Sequence, residues 1–167
     1  MSDAPATRWA GKYLRMMQRG PWEYVERVGG MTAVVIVAEH DGHVLLVEQD
    51  RPPLGRRCLE LPAGLVGDED DLGPEDTALK ELEEETGYTA TGVETIGQFY
   101  SSPGMVAESF TLVKMHGVAP GGSKSEEAID VHLVPRAQIP AFVGAKRADG
   151  VAIDVKLLLL LADSILG

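Results

Sequence analysis

The sequence predicts an α/β fold: an α/β/α sandwich with a mixed β-sheet and a small N-terminal strand layer. Three observations carry that reading. Met31 to Ala38 is a near-continuous apolar run, with further strand-like runs before and after it. One strongly patterned helix occupies the middle of the chain, after Pro74. Two more helical segments close the sequence, and strands around a central helix capped by others build this layered arrangement.

In chain order, residues 1–8 read as a loose tail. Lys12 to Gln18 and Trp22 to Val28 read as two short strands joined at Arg19-Gly20-Pro21. Such a pair is too small to stand alone and must pack on something, a second subunit among the options. The chain therefore divides into an N-terminal strand segment, 1–29, expected to form a dimer, and a main domain, 30–167. Met31 to Ala38 turns through His40-Asp41-Gly42-His43 into Val44 to Gln49, its expected hairpin partner. Pro52 to Gly55 is a loop, and Cys58 to Leu61 a short strand. Gly92 to Tyr100 and Glu108 to His116 are strands, Ala119 to Glu127 a flexible loop by composition, and Ile129 to Pro135 a last strand. The closing helices span about Ala137–Lys146 and Ile153–Leu166. In the second of them Leu157, Leu158, Leu160, Leu161 and Ile165 form the buried stripe.

At 167 residues the chain is long enough for a full core. A net charge of −11 argues against nucleic-acid backbones and anionic membranes as partners. An anionic substrate then needs a metal or local arginines to invert the field at its site. Cys58 is the only cysteine, so no internal disulfide forms, and a cytoplasmic location is expected. Leu157 to Leu161 is far too short to span a bilayer, and no signal peptide stands at Met1 to Gly11.

The chemistry gathers on the central helix. Pro74 suits its first turn and Gly87 its left-handed stop. Glu81, Glu84 and Glu85, spaced i, i+3, i+4, share one face, while Ala78, Leu79 and Leu82 give the buried stripe. Like charges at that spacing repel unless a cation sits between them. An oxygen-only face suits Mg²⁺, which takes a few carboxylates plus waters and phosphate oxygens. A solvated acidic face is the plainer reading of a Glu-Glu-Glu run standing alone.

Gly64 to Tyr88 resembles the Nudix box. Its second half matches at Glu81, Leu82, Glu84, Glu85, Gly87 and Tyr88, with Lys80 replacing the usual arginine. Its first half departs, with two residues more than usual between Gly64 and Lys80. Counting from one end puts Asp70 where the first glutamate belongs; counting from the other puts Leu72 there. The resemblance implies the Nudix fold and hydrolysis of a nucleoside diphosphate linked to another group. It implies a divalent metal, Mg²⁺ with Mn²⁺ as substitute, held by Glu81, Glu84, Glu85 and the backbone carbonyl of Ala63.

Other patterns resemble the family's ADP-ribose branch. Pro103 stands sixteen residues after Gly87, in a Ser-Pro-Gly loop with Gly104. Glu60 to Gly64, Glu48 to Arg51 and Glu127 to His132 match the same branch, as does the N-terminal strand layer, which there builds a homodimer. The resemblance implies hydrolysis of ADP-ribose to AMP and ribose 5-phosphate. GDP-mannose, UDP-glucose or a similar sugar is the alternative, and a non-catalytic nucleotide sensor the reading from another class. A late-loop glutamate serves as base in this branch. Glu127, which heads the matching pattern, is preferred over Glu126, with Glu108 third. Arg51 is expected to contact a phosphate or the terminal ribose through its planar fork. Glu60 is expected to accept ribose hydroxyls or brace Arg51. Trp22 and Arg27 are candidates to stack on the base across a dimer interface, or to pack there. His40, His43, His116 and His132 lack metal-ligand spacing and read as turn or strand residues.

Overall fold

A computed structural model of the chain describes residues 4–67 and 72–161. It opens with three antiparallel strands in sequence order, β1 (Ala6–Ala10), β2 (Leu14–Arg19) and β3 (Trp22–Arg27). β1 lies in the segment expected to be a loose tail. Every one of its residues is exposed, so no burial alternation marks it in the sequence; ladder pairing to β2 alone defines it.

The main body contains β4 (Thr32–Val37), β5 (Glu39–His40), β6 (His43–Arg51), β7 (Arg56–Glu60) and β8 (Ala63–Val66) before the central helix α1 (Pro74–Thr86). Then come β9 (Tyr88–Thr89), β10 (Gly92–Tyr100), β11 (Ser109–His116), β12 (Ala119–Pro120), β13 (Asp130–Pro135), α2 (Ile139–Ala148) and β14 (Ala152–Ile153). One mixed sheet has the order β10-β11-β4-β8, with β4 and β11 parallel. Another has the order β13-β6-β7-β14, and β9 with β12 forms a short ladder of its own.

The expected hairpin of Met31–Ala38 with Val44–Gln49 survives only at its tip. Glu39 and His40 pair with Val44 and His43 around Asp41 and Gly42, both at positive φ. β4 itself runs into the other sheet, between β11 and β8. The reason lies in its two apolar faces. Val34 and Ile36 point into one core cluster with Ala78 and Leu82 of α1; Val35 and Val37 point into the other with Ile139 and Val143 of α2. A strand apolar on both faces is covered on both sides, so the helices lie in opposite layers.

α1 starts with Pro74 in its first turn and stops at Gly87, whose φ is 76° and whose N–H donates to the Glu83 carbonyl at 2.8 Å. The later helices differ from expectation. Arg136–Gln138 forms a 3-10 turn and α2 begins beyond it, with Pro140 in its first turn. Val155–Leu161 is 3-10 rather than α. Residues three apart then share a face, so Leu157 and Leu160 are buried while Leu158 is 47% exposed. Ile165 and the side chain of Leu161, assigned to the same stripe, lie outside the described residues, as does Asp70. Among the described residues no helix is long and apolar enough to cross a membrane.

Candidate active site

α1 turns Ala78 and Leu82 into the core, which leaves Glu81, Glu84 and Glu85 on the side that meets β8. The fit there is close. Gly64 lies against the Glu81 side chain, and a Cβ at position 64 would overlap that carboxylate. One residue earlier, the Ala63 N–H donates to Glu85 Oε2 at 3.0 Å. Gly64 is therefore required by the Glu81 carboxylate pressed against the strand, and the Ala63 backbone holds Glu85 beside it.

Glu85 is 7% exposed. Burial, reinforced by the neighbouring Glu81 charge, pushes its carboxyl up to about 8 against the Ala63 N–H and the Arg51 charge, which favour the anion. Such a group is costly to ionise unless a cation arrives.

These acids line a cleft of about 410 Å³ together with Arg51, Ala63 and Glu127. The expected flexible loop brings Glu127 there because it is pinned to the end of α1: the N–H groups of Gly121 and Gly122 donate to the Gly87 carbonyl and that of Ser125 to the Glu84 carbonyl. Ser125, which the sequence did not single out, also lines the cleft, and its Oγ is buried without a hydrogen-bond partner. A serine in a Ser-rich loop carries no signal of such a placement. Glu126 is exposed and is not among the residues lining this cleft.

Arg51 grips Glu60 in the two-pronged geometry of a guanidinium on a carboxylate, at 2.6 and 2.7 Å. Glu60 thus braces Arg51. Their hydrogen bond, aided by the anions around it, raises the Arg51 pKa further. Arg51 also borders a second space of about 520 Å³, which shares Ala63 and Gly64 with the first. Glu60, Arg27 and Glu108 line it, the last two joined as an ion pair. Asp154 and Lys156, paired at 2.5 Å, line it as well. Nothing in the sequence pointed to them, because they arrive from the far end of the chain.

Trp22, Pro103 and Gly104 lie elsewhere. They line a third hollow of about 370 Å³ between β3 and the loop before β11, where Val25 and Val106 form an isolated bridge. Within one chain, Trp22 and Arg27 therefore face different spaces. Trp22 is 64% exposed, and Trp9 on β1 is 63% exposed.

Two other predicted features prove structural. Glu48, 5% exposed, accepts from Arg57 Nε at 2.8 Å, His132 Nε2 at 3.0 Å and Lys146 Nζ at 2.5 Å. Burial works to raise its pKa, but these donors outweigh it and hold the carboxyl at about 2. The motifs at Glu48 and His132 thus tie β6, β7, β13 and α2 together. Cys58 is buried, and burial with nearby Glu60 and Asp154 pushes its thiol up to about 12, where it is no nucleophile.

Among the described residues, no group of three or more His, Cys, Asp or Glu side chains already converges on one point to hold a metal ion. The donor set still fits a hard divalent cation that keeps several of its waters: three carboxylates on one helix face, oxygen ligands only, one carboxylate buried at the cost of its charge.

The comparisons follow this geometry. A NUDIX domain profile matches residues 30–156. The chain is 48% identical over 81 residues to the ADP-ribose pyrophosphatase of Bacillus subtilis (strain 168), covering 47% of this chain and 41% of that protein. It is 48% identical over 66 residues to the ADP-sugar pyrophosphatase of Mus musculus, covering 40% of this chain and 29% of that one. The chain thus spans less than half the length of these two relatives. Among solved structures, an ADP compounds hydrolase superposes with a TM-score of 0.72 over 98% of this chain and 92% of its own, at 17% identity, a likeness of fold. The matched region runs from two residues before β4 to three residues past β14, taking in the box helix and the strands that hold it, and the chain belongs to the Nudix family.

Proposed function

We propose that this chain is a Mg²⁺-dependent pyrophosphohydrolase that cleaves ADP-ribose to AMP and ribose 5-phosphate. The observation that carries this reading is the meeting, in one cleft, of three box carboxylates, an arginine held by a buried glutamate, and a late-loop glutamate. The names of the relatives, ADP-ribose and ADP-sugar pyrophosphatase, favour this substrate within the family's range.

Glu81, Glu84, Glu85 and the Ala63 carbonyl would hold the metal, Mg²⁺ or Mn²⁺ in its place. Bound there, it would supply charge neutralisation at the pyrophosphate and a more acidic water. The other roles fall to the chain. Glu127 takes the proton from the attacking water, with its carboxylate on the loop facing the helix acids. Arg51 orients a phosphate or the terminal ribose, its fork held flat by Glu60. The second space, shared at Arg51 and Ala63, takes the remainder of the substrate beside the Arg27–Glu108 pair.

The N-terminal segment, 1–29, forms a homodimer in this reading. Trp9, Leu14 and Met16 expose large apolar side chains on one face of the three-strand layer, and Trp22 exposes another on the opposite face, surface that a second copy can cover. A second copy covering Trp22 completes the base site. In this reading the enzyme works in the reducing cytoplasm, where a single cysteine with no internal disulfide is at home.

The test is nucleotide release from ADP-ribose, GDP-mannose and UDP-glucose, with and without Mg²⁺, beside sedimentation of the same preparation. Mg²⁺-dependent AMP release from ADP-ribose in preference to the others, by a dimer, is expected. Faster turnover of another sugar moves the substrate, and binding without turnover of any compound makes the cleft a sensor.

A further inference from the structure

We infer that Glu83, which stands outside the cleft, is a positioning residue: its carboxylate fastens the loop 121–127 to the last turn of α1 and so sets where Glu127 stands over the helix acids. The inference rests on the reading of Glu127 as the base.

Glu83 is not among the matched residues of the box, standing between Leu82 and the paired Glu84 and Glu85, and it does not line the cleft. Its Oε1 accepts from the Ser123 N–H at 2.9 Å. The loop makes three other bonds to this end of the helix. Gly121 and Gly122 donate to the Gly87 carbonyl at 3.3 and 3.0 Å, and Ser125 donates to the Glu84 carbonyl at 2.8 Å. Those acceptors are backbone carbonyls at the helix end, which any sequence would provide. Glu83 is the one side chain among these acceptors, so of the four bonds it is the one that depends on the acceptor's residue type.

Gly122 supports this independently. A Cβ built there would stand 2.6 Å from Glu83 Cγ and 3.2 Å from Thr89 Cγ2. Gly122 is not among the positive-φ glycines, so its lack of a side chain serves space rather than backbone conformation. The loop backbone is thus moulded to the Glu83 side chain. By composition (Gly121-Gly122-Ser123-Lys124-Ser125) the segment would otherwise be free, and ordering it costs entropy that these few bonds must offset. Five residues beyond Gly122, Glu127 has to meet the acids with near hydrogen-bond accuracy. Small misplacements of a catalytic group are expensive: about 1 Å can cost about a hundredfold in rate.

The experiment compares Glu83→Ala, Glu83→Gln, Gly122→Ala and the Glu83→Ala/Gly122→Ala pair by steady-state kinetics with the metal-loaded enzyme. Alongside, trypsin cleavage after Lys124 is measured relative to cleavage after Arg147 on α2. Glu83→Ala is expected to lower kcat about tenfold or more with KM within about twofold, and to speed cleavage after Lys124 about tenfold. Glu83→Gln keeps the acceptor oxygen and should restore both to within about twofold. Gly122→Ala, which displaces the Glu83 side chain, should match Glu83→Ala, and the double variant should be no worse than either. Wild-type kcat and protection in Glu83→Ala would overturn the inference. So would a loss not rescued by glutamine and accompanied by a falling melting temperature. Glu127→Gln separates this from the base assignment: if that variant remains active, the base is elsewhere, and the trypsin arm then decides the anchor by itself.

Discussion

Arg51 on β6 and Glu60 on β7 form a two-pronged ion pair, at 2.6 and 2.7 Å, at the place where the two adjoining spaces of the site meet. The Glu60 side chain is 5% exposed and Arg51 41%, so the carboxylate is the structural half and the guanidinium faces the two spaces. Arg51→Ala leaves a buried carboxylate unpaired and should destabilise the chain by about 3 kcal/mol. Arg51→Lys, a point charge on a flexible stem, should keep more of the stability yet raise KM about tenfold. Urea unfolding of both variants, with KM measured beside it, checks the split between fold and ligand.

Gly64→Ala should act on the acids without touching the ladder. The added Cβ meets the Glu81 carboxylate, while pairing of Gly64 with Val34 across β8 and β4 uses the backbone alone. Displacing one of the four proposed oxygen ligands is expected to weaken divalent-cation binding about tenfold or more. Titration with Mn²⁺ followed by electron paramagnetic resonance reads this directly, and unchanged affinity would refute the placement of Glu81.

Glu85→Gln replaces a carboxyl that is 7% exposed and pushed up to about 8. The metal-free variant should melt at the same temperature as the parent or higher near neutral pH, because the parent must keep this carboxyl protonated in the fold where the unfolded chain would ionise it. Hydrolysis should fall about a thousandfold or more, as a carboxylate at the metal supports several kcal/mol of charge stabilisation. Survival of activity would show that the box helix does not hold the metal.

Glu48 provides the acid limb of stability. Its folded carboxyl is held at about 2, below the usual value of 4.5, so it binds protons less readily folded than unfolded. Its contribution is therefore complete above about pH 4.5 and lost progressively as the pH falls toward 2. Glu48→Gln should cost about 3 kcal/mol or more at pH 7 by stranding Arg57, His132 and Lys146. It should also flatten the fall in stability between pH 5 and pH 2, measured by urea midpoints across that range.

The elements legible in the sequence are those whose signals are local. Pro74 and Gly87 bracket α1 because proline and positive-φ glycine each suit one end of a helix, whatever surrounds them. β10 spans Gly92–Tyr100, the range expected for it. Strand β1 was missed because it buries nothing, and the C-terminal α-helix was overread because five leucines do not distinguish 3.6 residues per turn from three. The expected hairpin was half right: Asp41-Gly42 makes the turn, but the apolar faces of β4 have two cores to fill.

The sequence by itself determined the family, the acidic face of α1 and the Ala63-Gly64 pair beside it, because i, i+3, i+4 spacing and the Gly87 stop are covalent facts of the chain. Only the tertiary structure decided that Glu60 serves Arg51, that Glu127 rather than Glu126 lines the cleft, and that Glu83 meets Gly122. It also parted Trp22 from Arg27 and brought Asp154 and Lys156 in from the far end. Those outcomes depend on which strands pair and which loop ends are pinned, contacts between residues tens of positions apart that no local pattern encodes.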